Sequence, residues 1–350
     1  MAPDAAWPER GRIAVFRASM LGDTLCATPV LRALKSAWPR SELTLIGLAW
    51  AREFASRLPQ VDRFRVFPGY PGLPESTPEI SALPHFIEQM QRLRVDLLLQ
   101  LHGSGRIVNP LLATFGARQL AGFVEADGFC ADPALHIAWP TYGHEIERLL
   151  CLTDHLGVPR RGTRLDFPLN MADRAAALRL LPDIGNTPFA CIHPGAQLAS
   201  RRWPADRFAA VADALADRGL AIVLTGTVGE AGLTAQVAAQ MRHGAIDLAG
   251  CTSLFTLGAL IERCQLLVCN DTGVSHIAAA LGTRSIIVGS SSEVERWAPL
   301  DHDRHRMLWR SPAGRPSDGP EGPDDACGRD LAASDVIDAA IALARPPPAR

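Results

Sequence analysis

The chain has 350 residues, more than one hydrophobic core usually fills, so about two domains are expected. Apolar residues make up 47% and charged residues 21%, the balance of an ordinary globular protein. A net charge of −2 argues against a nucleic-acid partner, and because Lys35 is the only lysine, an anion site here must use arginine, histidine or backbone N–H groups.

The opening MAPDAAWPERGR has no apolar core and does not read as a signal peptide. Residues 13–17 read as a strand, followed by the loop Ser19-Met20-Leu21-Gly22-Asp23. Leu25, Val30, Leu31 and Leu34 give residues 24–37 near-helical spacing, with Pro29 predicting a kink or a late start. Strands are expected at 43–48, 64–67, 96–101 and 120–123. Residues 68–79 hold four prolines and two glycines and form a loop. A helix over 144–156 ends at Gly157-Val158-Pro159. A second β/α series then has strands at 189–193, 221–225, 266–269 and 285–288. Its helices lie near 206–218, 229–241, 253–263 and 273–281. Residues 311–328 read as a mobile Pro/Gly/Asp-rich loop, and Ser334 as the cap of a last helix. Alternating β and α predicts parallel sheets covered on both faces. The expected domains are residues 1–165 and 166–350, each Rossmann-like, with ligands at the carboxyl ends of the strands in the cleft between them.

Eight cysteines occur, Cys26, Cys130, Cys151, Cys191, Cys251, Cys264, Cys269 and Cys327, with no CxxC pair. Most sit in apolar runs, which predicts buried, reduced thiols and a cytoplasmic protein. No apolar run is long enough to span a bilayer.

Four segments carry chemistry. The first is Arg17-Ala18-Ser19-Met20-Leu21-Gly22-Asp23 with Ala27-Thr28-Pro29. The second is His193-Pro194-Gly195-Ala196 with Arg201-Arg202-Trp203-Pro204. The third is Leu224-Thr225-Gly226 with Gly229-Glu230, and the fourth runs from Asn270-Asp271-Thr272-Gly273 through His276 to Ala280. The fourth places Asp-Thr-Gly between a buried strand and a helix, whose free N–H groups favour a phosphate. The plain alternative is a helix cap by Asp271 or Thr272. Asp23 lies in a glycine turn after a strand, where a carboxylate serves either as a helix cap or as a general base.

In order and spacing these segments resemble glycosyltransferase family 9, the heptosyltransferase-like family, over residues 12–345. The resemblance implies a GT-B fold and inverting transfer without a metal or other cofactor. It implies an ADP-heptose-like donor and a saccharide or glycolipid acceptor such as lipopolysaccharide core, with peripheral contact at the inner membrane surface. Asp23 becomes the base, with Arg17, Ser19 and Gly22 on the acceptor side. His193, Gly195, Arg201, Arg202, Thr225, Glu230, Asp271, Thr272, Gly273 and His276 become the donor site. Within it Glu230 bonds the ribose, and Arg201 replaces the family's lysine two residues before the tryptophan. Other readings are another donor or acceptor, a nucleotide-sugar hydrolase or 2-epimerase, and a sugar-nucleotide binder that has lost transfer. Asp301-His302-Asp303 resembles a metal-binding DxD but lies in a polar stretch and reads as surface. His144-Glu145 lacks the second histidine of a zinc helix. No GxGxxG follows the first strand, and no GxxxxGK[ST] occurs.

Overall fold

The computed structural model describes residues 10–289, 294–309 and 331–344, so the loop expected at 311–328 lies outside the described residues. The chain divides into two compact units, Met1–Pro168 and Leu169–Arg350. The first contains β1 (Arg12–Phe16), α1 (Leu21–Cys26), α2 (Thr28–Ala37), β2 (Glu42–Gly47), α3 (Ala51–Arg57) and β3 (Arg63–Val66). It continues with α4 (Leu83–Arg92), β4 (Leu97–Gln100), α5 (Val108–Ala113), β5 (Gln119–Val124), β6 (His136–Ala138) and α6 (Glu145–His155). The second contains α7 (Met171–Arg179), β7 (Phe189–His193), α8 (Ala205–Ala216), β8 (Ala221–Leu224), α9 (Ala231–Gln240) and β9 (Ile246–Asp247). After these come α10 (Leu254–Arg263), β10 (Leu266–Asn270), α11 (Gly273–Leu281), β11 (Ser285–Val288), α12 (Val294–Trp297), β12 (His305–Leu308) and α13 (Ala333–Leu343).

Each unit holds a six-stranded sheet, ordered β3-β2-β1-β4-β5-β6 and β12-β11-β10-β7-β8-β9. The pairs flanking the centres are parallel, with Phe16 opposite Gln100 and Cys269 opposite His193. The central strands are buried on both faces: every residue of β4, β7 and β10 is buried, as helices on both sides of a parallel sheet require. In the second unit Trp203 stacks edge-on against Phe208 at 5.1 Å, within a core that also takes Ile192, Val268 and Val336.

Sequence and structure differ at definable places. The 24–37 helix is two helices, broken at Ala27, and Pro29 sits in the first turn of α2, where its missing N–H costs nothing. Ser334 is not the cap of α13; Ala332 occupies that position and supplies no side-chain bond. The entry is fixed upstream instead, because Trp203 Nε1 and Arg207 Nη1 donate to the Leu331 carbonyl at 3.2 and 2.8 Å. The seven described cysteines are all free, but Cys151 and Cys251 are exposed. Cys151 falls on the outer side of α6 between buried Leu150 and Leu152, so its apolar neighbours misled the sequence reading.

One buried histidine gives the second unit a pH dependence. His305 on β12 bonds Ser285 Oγ through Nδ1 at 2.8 Å. Burial, only partly opposed by Asp301, pushes its pKa from 6.5 down to about 4. The unfolded chain therefore binds this proton before the folded one does. His305's contribution is intact above pH 6.5 and is lost as pH falls toward 4, by about 3 kcal/mol in all. Urea unfolding between pH 7 and 4 is expected to show a shallower loss in His305→Gln than in wild type. Identical pH slopes would contradict this origin.

Candidate active site

In both sheets the strand order reverses between two neighbours, β1 with β4 and β7 with β10. Open α/β sheets bind ligands outside the carboxyl ends of the strands at such a reversal. The segment 17–23 leaves β1, the segment 193–196 leaves β7, and 270–276 passes from β10 into α11.

In the first unit the centre is Arg17, which is 3% exposed. Its Nη2 donates to Asp23 Oδ1 at 3.0 Å and to Glu145 Oε1 at 2.9 Å, its Nε to the Asp23 carbonyl at 3.2 Å, and its Nη1 to the Leu101 carbonyl. Burial opposes the guanidinium charge, but Glu145 and Asp23 outweigh it and raise the pKa above the ordinary value. Glu145 is fully buried at the start of α6 and also pairs with Arg148 at 3.8 Å, whose guanidinium lies 4.4 Å from the Trp139 ring centre. Asp23 stands in the first turn of α1, whose N-cap is Met20, so it is not the N-cap residue. Its side chain is 32% exposed. Gly22 is buried in the same turn.

Ser19 Oγ lies 3.0 Å from His102 Nδ1, and His102 Nε2 lies 3.1 Å from Glu75 Oε1. Burial raises the Glu75 pKa, but the His102 bond and charge prevail and hold it below the usual carboxylate value. Trp50 Nε1 donates to the Ser19 carbonyl at 3.2 Å. A cavity of about 480 Å³ opens at the ends of β2 and β3, lined by Trp50, Phe67, Glu75 and Glu79 among others.

In the second unit His193 Nδ1 lies 3.1 Å from Thr225 Oγ1. Burial drives the His193 pKa down, with Glu230 opposing. Glu230 ends the short 3₁₀ turn Val228–Glu230, and its Oε2 accepts from Thr227 N and Oγ1, both at 2.8 Å, in a capping box. Burial raises its pKa, but the Thr227 bonds and the charges of His193 and Arg202 bring it below the ordinary value. A side chain at 195 would overlap the Glu230 carboxylate, so Gly195 is what lets this carboxylate settle against the β7 loop. Asn270 ties the two central strand ends together. Its Nδ2 donates to the Pro194 carbonyl at 2.8 Å, and its Oδ1 accepts from Trp203 N at 3.0 Å.

His193, Gly195, Thr225, Glu230 and Arg202 are thus brought together. Arg202 Nε also donates to the Ala196 carbonyl at 3.0 Å. Arg201 closes the 3₁₀ turn Ala199–Arg201 one residue earlier. Thr272 is the N-cap of α11 and makes no side-chain capping bond there, while Asp271 N donates to the Val288 carbonyl at 3.0 Å. Gly273 starts the helix, and buried His276 meets the Trp297 ring edge-on at 6.2 Å. Asp301 and Asp303 are exposed, and Asp301 bonds Arg304. No three His, Cys, Asp or Glu residues converge as a metal site among the described residues.

Sequence reasoning missed Glu145, His102, Glu75, Trp50 and Asn270's clamp. His102 carried a signal, since it follows the apolar run of β4 directly and so had to emerge at a strand carboxyl end. In the sequence Glu145 reads only as half of an incomplete zinc motif. Its role as counter-ion to Arg17, 128 residues away, has no local signature.

The model of glycosyltransferase family 9 (heptosyltransferase) matches residues 86–314. The chain belongs to this family. It is a glycosyltransferase, and its paired Rossmann-like units are those of a GT-B enzyme. It is 25% identical over 313 residues to lipopolysaccharide heptosyltransferase 2 of Escherichia coli K12, covering 83% of this chain and 86% of that one. A family 9 glycosyl transferase from Veillonella parvula has the same fold, with a TM-score of 0.79, 24% identity, and coverage of 95% and 97%. The structure of Escherichia coli ADP-heptose lps heptosyltransferase II gives a TM-score of 0.72, 21% identity, and coverage of 95% and 98%.

The contact between Gly195 and Glu230 in this glycosyltransferase is directly testable. Gly195→Ala must displace the Glu230 carboxylate and break its capping box, a loss of about 1 kcal/mol. In a Glu230→Ala background the same change is expected to cost little. A denaturant double-mutant cycle reads the coupling, and additive effects would contradict the close approach.

Proposed function

We propose that this glycosyltransferase moves heptose from ADP-heptose to a hydroxyl of a saccharide or glycolipid acceptor, with inversion and without a metal ion. The observation that carries the reading is the Asp23 carboxylate, held by buried Arg17 at a strand reversal and not serving as the N-cap. The names of the relatives support a heptosyl donor and a lipopolysaccharide-type acceptor. No described helix is long and apolar enough to cross a membrane, and action in the cytoplasm at the inner membrane surface fits a glycolipid acceptor.

In this reading the first unit holds the acceptor and the second the donor. The acceptor oxygen attacks the anomeric carbon from the face opposite the diphosphate. As that bond forms, the hydroxyl proton passes to Asp23, and the anomeric C–O bond breaks with its electron pair on ADP. Proton transfer is late, when the attacking oxygen has become acidic. The Ser19 and Gly22 turn presents Asp23. The leaving diphosphate gains charge, and Arg201, Arg202, His276 and the amides opening α11 at Thr272 and Gly273 are fixed donors for it. Glu230, beside Gly195 and His193, accepts from the ribose hydroxyls, while Thr225 orients His193. Asp271 shapes the turn into α11.

Asp23→Asn tests this reading, because Asn keeps the size of the side chain and cannot take a proton at neutral pH. With a chelator present, transfer from ADP-heptose is expected to fall roughly 100- to 10,000-fold. ADP affinity by calorimetry is expected to stay unchanged. Wild-type turnover in the variant would remove Asp23 as the base, and activity only after metal addition would remove metal independence.

A further inference from the structure

The 480 Å³ cavity in the first unit is joined to the Asp23 turn on two sides. Trp50 lines it and donates to the Ser19 carbonyl, four residues before Asp23. Glu75 lines it and reaches Ser19 Oγ through His102. The remaining Glu75 oxygen, Oε2, is buried and has no hydrogen-bond partner among the described residues. It therefore keeps an unused acceptor beside the cavity. Phe67 and Phe86, packed edge-on at 5.7 Å, line it as well. A volume of this size suits one or two sugar rings.

The charge of the lining is one-sided. Glu75 and Glu79 are there, and among the described residues no lysine or arginine lines it. The basic ring in the lining, His85, is engaged with Gln89 at 2.7 Å. Arg17 acts on Glu75 from behind, but it is buried and bonded to Asp23 and Glu145. The loop that brings Glu75 and Glu79 is pinned at its ends, where Glu79 N donates to the Pro68 carbonyl at 2.8 Å. Moving the carboxylates away from a bound anion would break that closure. An acceptor carrying a carboxylate or phosphate on the docked ring would face like charge with no cation to pair it.

From this geometry we infer that the cavity is the acceptor subsite and that it selects a sugar ring bearing no negative charge. The inference rests on the glycosyltransfer reading and adds the acceptor's chemical class to it. Trp50 and the phenylalanines take the C–H face of the ring, and Glu75 and Glu79 accept from its hydroxyls.

The test uses matched probes on the full chain, methyl glucoside and methyl glucuronide, which differ only in a carboxylate. Binding is read by saturation-transfer NMR, with ADP affinity measured on the same samples and the fold of every variant checked by thermal unfolding. The glucoside is expected to bind and the glucuronide to bind at least ~10-fold more weakly. Glu75→Gln with Glu79→Gln is expected to remove that difference. Trp50→Ala is expected to abolish glucoside binding, while Trp50→Phe keeps most of it. Equal binding of both probes to the wild type, no glucoside binding, or discrimination that survives the double variant would overturn the inference. Any of these with ADP binding intact sinks this inference alone. Absent ADP binding strikes the donor reading, and the sugar preference is still decided by its own result.

Discussion

A buried arginine needs its charge answered, and in this enzyme that requirement organises the first unit. Arg17 leaves β1 and reaches the start of α1 through Asp23, the end of β4 through the Leu101 carbonyl, and the start of α6 through Glu145. Removing the buried Glu145 alone would leave the guanidinium with only the partly exposed Asp23 to answer it, which costs far more than the net worth of the pair. The arrangement is specific for arginine, because the guanidinium offers several donors in fixed directions and lysine does not. Asp23 is thereby held at a defined place with part of its side chain still in solvent.

The second unit reaches the same end with neutral groups. Asn270 joins β10 to the loop after β7 and to the backbone of Trp203. Trp203 in turn anchors Leu331 ahead of α13. The fully buried Asn270 side chain, bonded to Trp203 N and to the Pro194 and Gly195 carbonyls, fixes the 193–203 loop against β10. Gly195 then leaves room for Glu230, and burial lowers the pKa of His193 beside it. Rigid positioning of this kind is what allows donors to act on a leaving group without reorganising.

Much of the fold was legible because the central strands are continuous apolar runs bounded by turns. The edge strands β6 and β9 are too short to show such a run, whereas half-buried β3 is expected at 64–67 and lies at Arg63–Val66. The helices α3 and α5 are short, and α4 announces itself only through Leu83, Phe86 and Met90. The site motifs were legible because glycine, proline and charge cluster where strands end. Long-range partners were not, since Arg17 with Glu145 and Ser19 with His102 and Glu75 are pairings that only the sheet order brings about.

The central claim is that Arg17 acts through the placement of Asp23, not through the donor. The most direct measurement is turnover and ADP affinity of the double variant Arg17→Gln with Glu145→Gln, which removes the buried guanidinium together with its buried carboxylate partner and leaves Arg148 on the Pro140 carbonyl and the Trp139 ring. The account predicts a folded protein with unchanged ADP affinity and turnover reduced about 100-fold, the scale of a misplaced catalytic group. Wild-type turnover in the folded double variant would contradict it.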